Sequence, residues 1–207
     1  MTTREPVREP LRIGVYGGAF DPPHLAHEAL ARAAVEQHQL DRLIILPTGQ
    51  AWHKSRALSD AQHRLALARL GFADLPQAQI DPRETLRNGP TYTIDTLHEL
   101  RSEHLSTQLF LLMGQDQLAF FPQWHRYQEV LQIATLLVAL RAYSMPASSQ
   151  KGLKNEVKIP HLTIAMPAMP ISATDIRQRV QSGLGMDHLV KPLVARYIAD
   201  HSLYFSR

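Results

Sequence analysis

At 207 residues with 44% apolar side chains, the chain is sized for one domain with a full core. Its 22 basic and 19 acidic residues leave a net charge of +3, which suits small anionic ligands; a nucleic-acid interface would call for a clustered basic stripe, and the basic residues are scattered singly. Having no cysteine excludes disulfides, thiolate metal sites and a cysteine nucleophile and suits the cytoplasm, and no apolar run approaches membrane-span length.

Residues 1–10 alternate charge and proline without the apolar stretch of a signal peptide, and read as a flexible leader. A buried strand follows at 11–16, then Gly17-Gly18-Ala19-Phe20-Asp21-Pro22-Pro23-His24-Leu25-Ala26-His27, then a helix over 25–38. Residues 41–47 form a second strand stopped by Pro47. The polar loop 48–58 carries Trp52, His53, Lys54 and Arg56. Ser59-Asp60-Ala61-Gln62 fits a capping box for a helix ending at Gly71. A brief strand at 78–81 precedes a helix capped by Thr91 and running to 103, with Ile94, Leu97 and Leu100 at helical spacing. The strand 108–113 ends in Gly114-Gln115-Asp116. An aromatic segment at 120–127, a helical turn or two and a strand at 134–140 come next. Residues 144–160 lack apolar periodicity and read as a mobile loop. A last strand at 162–166 leads to a second corner, Ile171-Ser172-Ala173-Thr174-Asp175-Ile176-Arg177, and a helix over 191–201 closes the chain, with Pro192 near its start.

Strands alternating with helices, with no repeat and no internal boundary, predict an α/β fold: one doubly wound, Rossmann-like parallel sheet over 11–207. Ligands of such sheets sit beyond the strands' C-terminal ends, which aligns Gly17, Pro47, Asp81 and Gly114 along one rim.

At the first corner, a glycine pair brings bare backbone close to a ligand, and the helix beyond it offers N–H groups and a partial positive charge to phosphate. His24 and His27 share one face of the first helical turn. The plainer reading is a tight turn, with Asp21 capping the helix and both histidines merely exposed. The second corner has the same two readings. Ser172 or Thr174 caps a helix, or their hydroxyls hold phosphate oxygens while Arg177 supplies charge and a planar fork.

The pattern G-G-x-F-D-P-x-H-x-x-H with I-S-x-T-x-I-R resembles the nucleotidylyltransferase superfamily. From Leu11 to Tyr204 the chain is similar to the bacterial nicotinate-nucleotide adenylyltransferases. Further matches are His53-Lys54, the stretch from Gly89 to Leu97, Gly114-Gln115-Asp116, Phe121-Pro122-Gln123-Trp124, and Tyr197-Ile198 with Leu203-Tyr204. Three positions depart from the family pattern. Ala26 stands where glycine is usual, Ala19 where serine or threonine is common, and Trp52 where proline usually precedes the His-Lys pair. The Ala26 methyl is expected near the adenine and to be tolerated there.

This resemblance implies adenylyl transfer from ATP to nicotinate mononucleotide, giving nicotinate adenine dinucleotide and pyrophosphate. By the same resemblance, His24, His27 and Arg177 are the catalytic group. ATP is held by Gly17, Gly18, Ala19, Phe20, His24, His27, Gly114, Asp116, Ile171, Ser172, Thr174 and Arg177. Lys54 either meets the mononucleotide phosphate or is an ordinary surface lysine, Trp124 either stacks on the pyridine ring or packs in the core, and Thr85 with nearby N–H groups receives the carboxylate. Mg²⁺ rides on the ATP phosphates, and no protein metal site is expected. No nucleic-acid or membrane partner is expected, and nothing in the sequence bears on oligomeric state. Three rivals stay open: a sister adenylyltransferase acting on pantetheine phosphate or nicotinamide mononucleotide, a non-catalytic nucleotide sensor, and an aminoacyl-tRNA synthetase fragment. The last lacks a Lys-Met-Ser-Lys-Ser loop.

Overall fold

The computed structural model describes residues 10–49, 58–139 and 158–205. The expected leader (residues 1–9), most of the 48–58 loop with Lys54, and residues 144–157 of the expected mobile loop lie outside these. Six parallel strands form one sheet in the order β3-β2-β1-β4-β5-β6. They are β1 (Leu11–Gly18), β2 (Arg42–Pro47), β3 (Ala78–Ile80), β4 (Thr107–Gly114), β5 (Ala134–Ala139) and β6 (Leu162–Ile164). Eight α-helices connect or flank them among the described residues, with one 3-10 turn at Phe121–Gln123: α1 (Leu25–Gln37), α2 (Ala61–Gly71), α3 (Arg83–Leu86), α4 (Thr93–Glu103), α5 (Gln115–Phe120), α6 (Tyr127–Ile133), α7 (Ala173–Gln181) and α8 (Pro192–Asp200).

The near-continuous apolar runs of the central strands follow from burial on both faces. Ile13, Val15, Ile44, Leu46, Leu109, Leu111, Leu136 and Val138 point to one side, where Ile94, Leu97 and Leu100 of α4 and Val130 of α6 cover them. The alternate residues Leu43, Ile45, Phe110, Leu112 and Leu137 point to the other, against Leu30, Ala31 and Ala34 of α1 and Ala68 of α2. A third cluster joins α2, α7 and α8 through Leu67, Ile176, Val180, Val194 and Ile198. That cluster fixes where α7, and so the second corner, stands relative to the first.

Several boundaries differ from the sequence expectations. β1 runs on through Gly17 and Gly18, which pair with Leu46 and Pro47 of β2. The cap of α2 is Asp60, whose carboxylate accepts from the Gln62 N–H at 2.9 Å, one residue later than the expected Ser59. Thr91 does not cap α4, whose N-cap is Tyr92; Thr91 is buried instead. The helices α3 and α5 have four and six residues, too short to show periodicity in sequence.

Candidate active site

The strand order reverses between β1 and β4, and a cavity of about 850 Å³ opens there at the strands' C-terminal ends. Gly17 and Gly114 line it, as expected of rim residues. Asp81, on the edge strand's side, does not; its carboxylate instead accepts from the Arg83 backbone at 2.9 Å and side chain at 2.8 Å.

At the first corner the two glycines have different reasons. A Cβ on Gly17 would project into open space, so glycine there leaves the backbone bare to the cavity. A Cβ on Gly18 would strike the Phe20 ring at 2.9 Å. Phe20 has a positive φ of 47° and is buried, with edge contacts to Tyr16, His27 and Phe72 at 5.4, 5.3 and 5.4 Å. Its conformation turns the chain out of β1 toward α1 while the ring serves as core.

His24, not Asp21, is the N-cap of α1. The two imidazoles stack with centroids 3.6 Å apart at 21°. The His24 N–H donates to Nδ1 of His27 at 3.2 Å, which in the neutral ring puts the proton on Nε2 and makes that nitrogen a donor. Both histidines line the cavity. The helix terminus itself is partly committed, since the Leu25 N–H donates to the Leu189 carbonyl at 3.0 Å.

Asp21 is buried beneath this corner. Its carboxylate accepts from the Tyr204 hydroxyl at 2.7 Å and the Ser59 N–H at 3.2 Å, and its main-chain carbonyl accepts from Arg177 Nη1 at 2.7 Å. Buried Arg64 donates to the carbonyls of Ser59, Thr48 and Ala19 at 2.9, 2.6 and 3.3 Å, tying three cavity-side segments together. Neither Asp21 nor Arg64 was expected as a site determinant. A signal for Arg64 did exist: it shares the buried stripe of α2 with Leu67, Ala68 and Gly71, where a cation must find partners.

At the second corner Ser172 caps α7, its Oγ accepting from the Asp175 N–H at 3.1 Å, which leaves its own O–H to donate to a ligand. Arg177 also donates Nη2 to Thr174 Oγ1 at 3.1 Å. Ile171, Ser172, Thr174 and Arg177 all line the same cavity as His24 and His27. Ser172 is thus both the cap of α7 and a residue of the cavity wall.

Gly114 ends β4, and the Asp116 carboxylate lies over it, 2.6 Å from where a Cβ would stand. Burial, with the Asp116 charge added, pushes the Tyr16 phenol well above its usual range, so it faces the cavity protonated. Trp124 packs against Phe121 with centroids 5.3 Å apart and also lines the cavity, as does the tilted ring pair Tyr92 and His125 at 4.3 Å. Thr85 is directed elsewhere. Its hydroxyl and N–H both donate to the Pro82 carbonyl, at 2.7 and 2.9 Å, closing the single turn of α3, and it is not among the lining residues. Thr91, Tyr92, Thr93 and buried Glu84 line the cavity instead. Burial pushes the Glu84 carboxyl up, against the Thr96 hydroxyl it accepts from at 2.8 Å and the nearby Arg87 charge.

Residues 15–179 match the family model described as cytidylyltransferase-like. A relative from Albidiferax ferrireducens, named "Probable nicotinate-nucleotide adenylyltransferase", is 51% identical over 193 residues, 93% of this chain and 98% of its own. The chain belongs to the nicotinate-nucleotide adenylyltransferase family. A second relative of this adenylyltransferase, from Methylibium petroleiphilum and with the same name, is 40% identical over 93% of this chain and 92% of its own. Among solved structures, a Plasmodium falciparum nicotinic acid mononucleotide adenylyltransferase complexed with NaAD superposes with a TM-score of 0.72 at 18% identity, covering 94% of this chain and 97% of that one. Its counterpart complexed with APC gives 0.73 at 17%, with the same coverage. At such identity these two establish the shared fold. The adenylyltransferase is thus an enzyme, a nucleotidyltransferase, on a six-stranded parallel α/β sheet.

Proposed function

We propose that the enzyme transfers the adenylyl group of ATP to nicotinate mononucleotide, releasing pyrophosphate, as a step of NAD biosynthesis. The observation that carries this reading is that His24, His27 and Arg177 line one cavity that Trp124 also lines. The mononucleotide phosphate, with a second pKa of about 6, is already largely ionised at neutral pH and needs no general base. Its oxygen bonds to the α-phosphorus as the bond to the bridging α–β oxygen breaks, and the electron pair leaves on pyrophosphate. Repulsion between anions and charge growing on the leaving group oppose the step, so catalysis is alignment plus neutralisation.

The His27 Nε2–H and the His24 ring would meet the triphosphate next to the bare Gly17 backbone. The Arg177 guanidinium, held by Asp21 and Thr174, would neutralise the departing oxygens with the Ser172 hydroxyl. Gly18, Ala19, Phe20 and Ile171 would shape that wall, and Gly114 and Asp116 would bound the adenosine ribose. The nicotinate ring would stack on Trp124. Lys54 is proposed for the mononucleotide phosphate. The carboxylate contact first assigned to Thr85 passes to backbone donors along 91–93, since Thr85 spends its own donors on Pro82. The nucleotide is taken as MgATP, with the ion carried by the phosphates. Asp116 lines the cavity, and among the described residues no three histidine or carboxylate side chains group as a resident metal site. Among the same residues no helix is long and apolar enough to cross a membrane, and the reading places the enzyme in the cytoplasm.

A pyrophosphate-release assay with nicotinate mononucleotide, nicotinamide mononucleotide and pantetheine phosphate tests the proposal. The first should give the highest kcat/KM, because a carboxylate rewards N–H donors where an amide presents its own. Equal values for the two pyridine mononucleotides would remove the selectivity. ATP binding without pyrophosphate release from any acceptor would identify a sensor.

A further inference from the structure

Tyr204 lies 183 residues along the chain from the residue it holds, and it does not line the cavity. After α8 the backbone enters the left-handed region at Ser202 (φ 48°) and again at Tyr204 (φ 68°). Neither is glycine, and a bulky residue adopts this conformation only when its surroundings impose it. The result is a turn that doubles back, with the Leu203 N–H on the Ile198 carbonyl at 2.9 Å. It packs the Tyr204 ring into the cluster of α2, α7 and α8 and brings its hydroxyl to the Asp21 carboxylate at 2.7 Å. Burial first, then the Asp21 charge and that hydrogen bond, push the phenol well up, so the group remains a donor.

Asp21 passes this restraint on. Its carboxylate is fixed by Tyr204 and by the Ser59 N–H, and its own carbonyl is the acceptor that orients Arg177 Nη1 at 2.7 Å. A planar guanidinium neutralises a leaving pyrophosphate only in the right plane, so the acceptor that sets its plane matters to the reaction. We propose that Tyr204 is a positioning residue for Arg177, acting through Asp21, so that the last described turn of the chain sets the cation facing the ATP phosphates. The proposal rests on the adenylyl-transfer reading for the role of Arg177, but the contact network stands without it.

Tyr204→Phe keeps the ring and removes only the hydroxyl. The dissociation constant of an ATP analogue with a non-cleavable α–β bridge is to be measured by titration calorimetry on the full chain. The four proteins are wild type, Tyr204→Phe, Arg177→Lys and the double variant. Coupled neighbours depart from additivity, so Tyr204→Phe should weaken binding by about 5- to 10-fold in the wild-type background and by less than about twofold beside Arg177→Lys. KM for the acceptor mononucleotide should stay within about twofold, since the change lies at the ATP end. An unchanged dissociation constant in Tyr204→Phe, or equal weakening in both backgrounds, overturns the proposal. So does a Tyr204→Phe chain that fails to fold, since the hydroxyl then serves the fold and not Arg177. Calorimetry needs no turnover. A protein that binds the analogue yet releases no pyrophosphate with any acceptor refutes the functional reading while leaving this coupling measurable.

Discussion

Replacing His27 separates the helix-capping contact its imidazole makes from the catalytic task proposed for it. In His27→Ala the His24 N–H loses the acceptor it reaches at 3.2 Å, a helix-capping bond of about 1 kcal/mol. The stack on His24 at 3.6 Å and the edge contact with Phe20 at 5.3 Å go too, adding about 1 kcal/mol. Together these predict a fall in Tm of about 4–8 °C for a chain of this size. The chemical loss is larger. Removing one donor aimed at developing phosphate charge costs roughly 3 kcal/mol of transition-state stabilisation, so kcat should fall by about 10²-fold or more. His27→Gln divides the two effects, because glutamine at the third helical position accepts from the N-cap N–H and restores the capping bond. Its Tm should recover about half of the loss while kcat stays depressed by more than about tenfold. The measurements are a melting curve and pyrophosphate release at saturating ATP and nicotinate mononucleotide. A kcat within about threefold of wild type in either variant would take His27 off the catalytic list.

The remaining predictions concern the cavity walls and the backbone packed behind them. Gly49→Ala should destabilise by about 2 kcal/mol or more, seen as a lower Tm, because its Cβ would overlap the Glu84 carbonyl oxygen and meet the Thr91 hydroxyl at 2.8 Å. Thr91→Val should be neutral or raise Tm by a few degrees; the buried hydroxyl has no hydrogen-bond partner among the described residues, so its removal leaves nothing else unsatisfied. Glu84 has a folded-state pKa above its ordinary value, so the folded protein binds its proton more tightly than the unfolded chain. The favourable contribution is complete below the unfolded carboxyl range and is lost as pH rises through the folded value. Glu84→Gln should therefore gain stability relative to wild type as pH rises, and a constant difference between their melting curves from pH 4 to 8 would contradict this. Ala26→Gly should lower the KM for ATP by less than tenfold while costing up to about 1 kcal/mol of helix stability; a greater than tenfold improvement would show that the cavity-lining methyl obstructs the nucleotide.

Much of this architecture was legible in the residue order. Apolar runs such as that of β4, with Leu109, Leu111 and Met113 on one face and Phe110 and Leu112 on the other, require a sheet buried on both sides. Glycines and histidines at a strand-to-helix corner, and Ser172 before Arg177, carry their chemistry in local spacing. Those signals act over a few residues, and a linear reading captures them. Neither periodicity nor spacing could relate residues far apart in the chain. That Asp21 is buried under Tyr204 and Ser59, that its carbonyl orients Arg177, and that Arg64 gathers the carbonyls of Ala19, Thr48 and Ser59 follow only once α2, α7 and α8 pack together. Thr85 shows the same limit from the other side: a plausible donor in sequence, it was diverted by the unforeseen turn of α3 onto Pro82. Local chemistry named cavity-lining groups such as His24, His27 and Arg177, and long-range burial, which obliges each desolvated charge and carbonyl to find a partner, decided how they are held.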